Sequence, residues 1–383
     1  MKKIILILIC FLMIPIHVDA APLELAPNAK SAIMLETTTG EILFENNVDE
    51  KYAPASMTKM MSLLLFMEYI EDGGMRLDEM VNVSENASGM GGSQIFLKTG
   101  EQMSVSDLLK GITIASANDA TVALAERVAG TEEAFVSMMN EKVKELNLKN
   151  TNFKNVHGLD EANHYSSAYD MAMIAKELVS HEKILEFSSI YEDYLRKDTK
   201  EQVWLVNTNK LVRFYQGADG LKTGYTSEAG YCLTATAKKN GMRLITVVMG
   251  EIDSSTRNSE TMKLLDYGFD QYELETLLTK DSVIGKTRIS KSTKENIEIV
   301  PTQDVTLLHK KGEKKKNSSY ELELNNIVVP IKKGEKVGIL KIMEDNNVIR
   351  EIDVSVNEDI KKANIFELYI RYLGDVIRGD IKF

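Results

Sequence analysis

Pro54-Ala55-Ser56-Met57-Thr58-Lys59 leads straight into Met60-Met61-Ser62-Leu63-Leu64-Leu65-Phe66-Met67, an apolar run that ends near Ile70. Proline is tolerated at or just before the first helical turn. From Met57 to Tyr69 there is no Gly or Pro, and the Met/Leu content predicts a buried helix. Residues three apart share a helix face, so Ser56 Oγ and the Lys59 amine are predicted to touch. A serine hydroxyl is a weak nucleophile alone, and a desolvated lysine is neutral enough to take its proton. The helix N-terminus adds a positive field where an oxyanion would form. By itself the pair also reads as an N-cap serine and a surface lysine, so the rest of the chain decides.

Met1-Lys2-Lys3, the apolar Ile4 to Ile16 and Val18-Asp19-Ala20-Ala21 read as a secretory signal peptide, residues 1–20, cut after Ala20. Its apolar core is short for a membrane span. The remainder holds one cysteine, Cys232, so a core and not a disulfide must stabilise it. At 383 residues and 44% hydrophobic the chain is large enough for that. Net charge is −11, and argues against nucleic acid as a partner. No His-Glu-x-x-His or Cys-x-x-Cys occurs, so no metal or other cofactor is expected.

Ala32-Ile33-Met34-Leu35 and Ile42-Leu43-Phe44 flank Thr39-Gly40 and predict a hairpin. Glu85 to Gly92 is small and glycine-rich, and reads as a flexible loop. Ser104 with Asp107 starts a helix that runs to about Ile114. Ser116-Ala117-Asn118 follows, with Asp119 expected to cap a helix from Ala120 to Val128. That tripeptide reads either as a plain turn or as a polar pair shown at a helix junction. In the second case Ser116 relays a proton, and Asn118 orients Lys59 and holds substrate backbone. Glu132 to Leu146 and Met171 to Val179 read as helices. His157, in the polar turn Asn155 to Asp160, has no acid partner in view and reads as structural.

Gly220-Leu221-Lys222-Thr223-Gly224-Tyr225 precedes Gly230 to Ala237, an alternating run, then Asn240-Gly241 and a return strand Arg243 to Met249. A strand at Lys222-Thr223-Gly224 on a sheet edge lets a peptide pair with the backbone. Lys222 supplies charge for a carboxylate, Thr223 a hydroxyl, and Gly224 close approach.

Ser56-Met57-Thr58-Lys59, Ser116-Ala117-Asn118 and Lys222-Thr223-Gly224 stand in that order, about 60 and 106 residues apart. Together they resemble the penicillin-interacting serine enzymes. Within these the chain is similar to the low-molecular-weight penicillin-binding proteins that act as D-alanyl-D-alanine carboxypeptidases, over about residues 28–275. The stretches Phe96-Leu97-Lys98-Thr99-Gly100, Ala115 to Ala120 and Asn155 to Leu159 support the resemblance. It implies an α/β (α+β) catalytic domain, residues 21–275, with a central antiparallel sheet flanked by helices. It implies that Ser56 attacks the carbonyl between two D-alanines of a peptidoglycan stem peptide and forms an acyl-enzyme that water releases. Lys59 is then the base, and Ser116 and Asn118 complete the proton network. The amides of Ser56 and Tyr225 form the oxyanion hole, and Lys222, Thr223 and Arg257 hold the terminal carboxylate. Arg257 reads equally as a surface arginine. Tyr225 replaces the His often found there. β-Lactams are the implied inhibitors. A β-lactamase, a D,D-endopeptidase or transpeptidase, and a non-catalytic scaffold are the alternatives. The first would need a deacylating Glu that residues 150–180 do not offer, and the last would not require a nucleophile paired with a base.

From Leu277 short alternating runs take over: Val283 to Ile289, Val305 to Leu308, Tyr320 to Leu324, Ile327 to Ile331, Val337 to Ile342 and Val348 to Val356. They predict a small all-β sandwich, residues 276–358, without catalytic residues. In residues 359–383, Ile365, Phe366, Tyr369, Ile370, Leu373, Val376 and Ile377 form one helical stripe. This suits an amphipathic helix lying on a membrane surface, with packing on its own domain as the competing reading.

Overall fold

The computed structural model describes residues 24–378 apart from 290, 315, 316 and 326, so the segment read as a signal peptide lies outside the described residues. Strands β1 (Ser31–Glu36) and β2 (Ile42–Asn46) form the expected hairpin. Its turn is held by the Glu36 carboxylate, which accepts from the Thr38 and Thr39 amides. Strands β3 (Ala218–Thr226), β4 (Gly230–Lys239) and β5 (Met242–Glu251) complete an antiparallel sheet in the order β2-β1-β5-β4-β3. Asn240 and Gly241 both have positive φ, which the tight β4–β5 turn requires. Strand β3 lies at the sheet edge, as the sequence suggested.

Helices α1 (Lys59–Glu71), α2 (Val105–Ala115), α3 (Asn118–Ala129), α4 (Glu132–Glu145) and α5 (Ala168–Ser180) build one core with the sheet. Helix α6 (Ser254–Gln271) closes a second core with Met34, Leu244 and Val248 on the other face. Every residue from Lys59 to Met67 is buried, so α1 is a central helix, apolar nearly all round. Two local expectations fail. Glu85–Ser88 is a helical turn and not a free loop, because Ser84 Oγ accepts from the Ala87 amide and Ala87 is buried. Asp119 does not cap the next helix. It lies inside α3, whose N-cap position is Ala117.

Beyond α6 come β6 (Tyr272–Leu278), β7 (Gly285–Thr287), β8 (Ile297–Pro301), β9 (Val305–Lys310), β10 (Ser318–Leu324), β11 (Gly338–Glu344) and β12 (Asn347–Val356). The sheets β7-β8-β12-β11-β10 and β6-β9 share one aliphatic core that includes Ile299, Leu307, Leu340 and Val354. Ile327 to Ile331 is not a strand: Ile331 makes only an isolated bridge to Ile360. Helix α7 (Ile365–Arg378) leaves all seven stripe residues exposed, so its apolar side is not packed on its own domain. Asp375, on the same helix, pairs with Arg288. Among the described residues, no helix is long and apolar enough to cross a membrane.

Candidate active site

Ser56 sits in a 3-10 turn, Ala55–Thr58, and the α-helix proper starts at Lys59. Ala55 has φ of +47°, a region L-residues avoid and usually keep only where surroundings enforce it. Gly158 (φ +88°) packs close on it: a Cβ there would fall 1.9 Å from the Ala55 carbonyl oxygen. Any side chain there would push the 155–158 turn off the Ser56 turn. Ser62 Oγ donates to Val156 O at 2.7 Å and fixes the same turn to α1.

Lys59 is fully buried. Its Nζ lies 3.0 Å from Ser56 Oγ, 2.7 Å from Asn118 Oδ1 and 2.6 Å from the His157 carbonyl oxygen. Asn118 Nδ2 donates to Gly91 O at 2.7 Å, and this turns its oxygen toward the lysine. Burial first, and the Lys222 charge second, hold the Lys59 amine well below the usual lysine range. Ser116 ends α2 with φ of +63°, and its buried Oγ has no hydrogen-bond partner among the described residues. An unpaired buried hydroxyl is costly, and such atoms collect at functional sites.

Asp119 carries a task the sequence reading missed. Its carboxylate accepts from the Ile95 and Leu97 amides and locks the 93–97 segment beside Asn118. His157 has an acid neighbour after all: Glu132 Oε1, on α4, lies 3.6 Å from its Nε2. Burial first, then the Lys59 charge, pushes the imidazole down to about 3, which disfavours an ion pair with it. The useful atom of His157 is its backbone oxygen, which no side-chain pattern reveals.

Across from the serine, Gly224 is required by space: a Cβ would meet Pro54 O at 2.9 Å and Met57 N at 3.3 Å. That contact seats edge strand β3 against the Ser56 turn. Lys222 is buried, its Nζ donates to Thr223 O at 2.9 Å, and burial ahead of Arg257 lowers it to about 7. Thr223 Oγ1 donates to Thr208 Oγ1 at 2.8 Å. Arg257 is not on the surface. It is 5% exposed in the first turn of α6, and its Nε and Nη2 both donate to Asn258 Oδ1. Tyr225, half exposed, packs its ring 4.3 Å from that of Tyr231. The structure thus brings Ser56, Lys59 and Asn118 into one hydrogen-bonded group, and holds Gly224 against the Ser56 turn. Among the described residues there is no cluster of three or more His, Cys, Asp or Glu that would hold a metal.

A family model described as D-alanyl-D-alanine carboxypeptidase matches residues 18–253, and one described as penicillin-binding protein 5, C-terminal domain, matches residues 272–362. The chain is 49% identical over 353 residues to D-alanyl-D-alanine carboxypeptidase DacF of Bacillus subtilis (strain 168), covering 92% of this chain and 91% of that relative. Penicillin binding protein 5 from Haemophilus influenzae superposes with a TM-score of 0.71 at 34% identity, over 88% of this chain and 98% of that structure. Penicillin-binding protein D2 from Listeria monocytogenes, solved in its cefotaxime-bound form, superposes at 0.57 with 32% identity, over 63% of this chain and 97% of that structure.

Proposed function

Because the chain belongs to the D-alanyl-D-alanine carboxypeptidase family, we propose that Ser56 is its acylated nucleophile and Lys59 its neutral general base. The observation that carries this reading is the full burial of Lys59, which disfavours its charge, with its Nζ 3.0 Å from Ser56 Oγ. A neutral amine has two N–H donors and one lone pair. Asn118 Oδ1 and the His157 carbonyl oxygen can only accept, so they take both donors. The lone pair is left for the third neighbour, the Ser56 hydroxyl. A charged lysine would have no lone pair to offer, and the fully buried site disfavours that charge.

The substrate is a peptidoglycan stem peptide ending in D-Ala-D-Ala. It pairs along edge strand β3, with its terminal carboxylate toward Lys222, Thr223 and Arg257. The Ser56 hydroxyl attacks the carbonyl between the two D-alanines while its proton passes to Lys59. The amides of Ser56 and Tyr225 hold the oxyanion, which the packing of Gly224 on the Ser56 turn supports. Ser116, its hydroxyl otherwise unpaired, returns the proton to the leaving D-alanine amine. Water then cleaves the ester and regenerates the serine. β-Lactams acylate the same oxygen. Release of D-alanine from a stem pentapeptide tests this. Wild type releases it and Ser56→Ala does not; equal release by both overturns the assignment.

The protein is exported and works outside the cytoplasmic membrane. Helix α7 lies on the outer face of that membrane, which its exposed apolar stripe and the basic excess of the tail support. The purified protein is expected to sediment with phosphatidylglycerol vesicles, and a chain ending at residue 364 to stay in solution. Equal sedimentation of both would remove the helix from that role.

A further inference from the structure

Arg257 feels the charge of a group that the reaction above does not use. Glu251 is the last residue of β5, opposite Tyr231 of β4, and it is 1% exposed. Neither of its carboxyl oxygens has a hydrogen-bond partner among the described residues. A carboxylate buried in that state would be very unfavourable, so it must keep its proton or find a cation. The groups around it decide which. Helix α6 presents Arg257 and, one turn later on the same face, Glu260. Glu260 is itself buried and accepts from Asn28 N at 3.2 Å and Asn28 Nδ2 at 2.5 Å. The turn before α6 adds Asp253, whose carboxylate caps the helix at Thr256. Strand β4 adds Tyr231 and Cys232, and the Cys232 Sγ accepts from Gly250 N at 3.4 Å. The N-terminal segment adds Lys30, whose methylenes lie against Gly250. Burial first, then Glu260 and Asp253, lift the Glu251 carboxyl to about 8, with Arg257 opposing.

An ionised Glu251 would offer Arg257 an internal anion. With Glu251 neutral, the guanidinium donates to the neutral Asn258 Oδ1, and its charge acts on Lys222. We propose that Glu251 is a positioning residue: held as the neutral acid beside Arg257, it leaves the arginine charge uncompensated and so available to the carboxylate of the substrate. This rests on the role given to Arg257 above.

The test is KM and kcat for a peptide ending in D-Ala-D-Ala, from pH 6.5 to 9.5, in wild type, Glu251→Gln and Arg257→Gln. Loss of the Lys222 charge above about 7 raises KM in wild type and Glu251→Gln alike. Ionisation of Glu251 adds a second rise in wild type only. The ratio of wild-type KM to that of Glu251→Gln is therefore expected to grow about tenfold across the range, the factor that one pKa unit of coupling carries, with the effect on KM and not on kcat. A ratio that stays flat overturns the proposal. Should Glu251→Gln fail to fold, infrared difference spectra of the wild-type protein decide. A protonated-carboxyl band present at pH 7 and lost by pH 9, and shifted to lower pH in Glu260→Gln, supports it; its absence at pH 7 overturns it. An unchanged KM in Arg257→Gln at pH 6.5 also overturns it, through Arg257, even where the infrared band is present.

Discussion

The catalytic domain and the C-terminal domain bury different things. The first hides Lys59, Lys222, Arg257, Asp119, Asn118 and His157 among its apolar side chains. From Tyr272 onward the buried set is aliphatic, with Ser292, Thr306, Ser355 and Asp375 as its polar members among the described residues. Burying a lysine costs several kcal/mol that a methionine or leucine would not. Folds commonly accept that cost where a group does chemistry, and the contrast fits the roles proposed for the first domain's buried residues.

The contrast can be broken by trading charge for packing. Lys59→Met keeps length and removes the amine. Acylation by a fluorescent penicillin is expected to slow by ~10²–10⁴, the usual worth of a general base, while the melting temperature holds or rises. A large fall in melting temperature at full acylation rate would mean that the lysine is there for structure. In the C-terminal core the signs reverse. Leu340→Ala, at a fully buried site, should cost about 2–5 kcal/mol in denaturant unfolding of that domain and leave kcat/KM on a soluble peptide within about twofold. Lost activity at unchanged stability would tie the second domain to the chemistry. Lys222→Gln sharpens the first half. Removing one partner of a buried charge pair costs about 2 kcal/mol or more, so KM for a carboxylate-ended peptide should rise about thirtyfold. An unchanged KM would place the carboxylate elsewhere.

A further effect is expected with acid. His157 and His164 are held neutral by burial, down to about 3 and about 4 against an unfolded value of 6.5. Between those values the unfolded chain binds more protons, so the stability they contribute is complete above 6.5 and is lost as pH falls through 4 and 3. His164 accepts from Lys154 N through Nδ1, so its Nε2–H donates to Thr58 Oγ1 in the Ser56 turn. Thermal melts of the catalytic domain should therefore weaken below pH 6.5, and His164→Gln should flatten part of that slope. A slope that His164→Gln leaves intact would assign the acid sensitivity to other groups.

What was legible in the sequence follows from range. Ser56 and Lys59 are local, three apart on one turn, and the strand-turn-strand at Asn240-Gly241 is local too. The edge position of Lys222-Thr223-Gly224 also came through, because the stretch lies just before the alternating run and its Asn240-Gly241 hairpin turn. The rest depends on backbone atoms or on distant packing. The His157 carbonyl that completes the Lys59 group is invisible to a pattern of side chains. Asp119 looked like a cap because acids commonly start helices, yet tertiary demand for amide acceptors at Ile95 and Leu97 took its carboxylate. Ile327 to Ile331 had the composition of a strand but pairs only through Ile331.

The most direct test is the intact mass of the purified protein after incubation with a penicillin, wild type beside Ser56→Ala and Lys59→Met. One added drug mass is expected on wild type, none on Ser56→Ala, and slow, partial labelling of Lys59→Met. A drug adduct on Ser56→Ala, or none on folded wild type with the free drug intact, would contradict Ser56 as the acylated nucleophile.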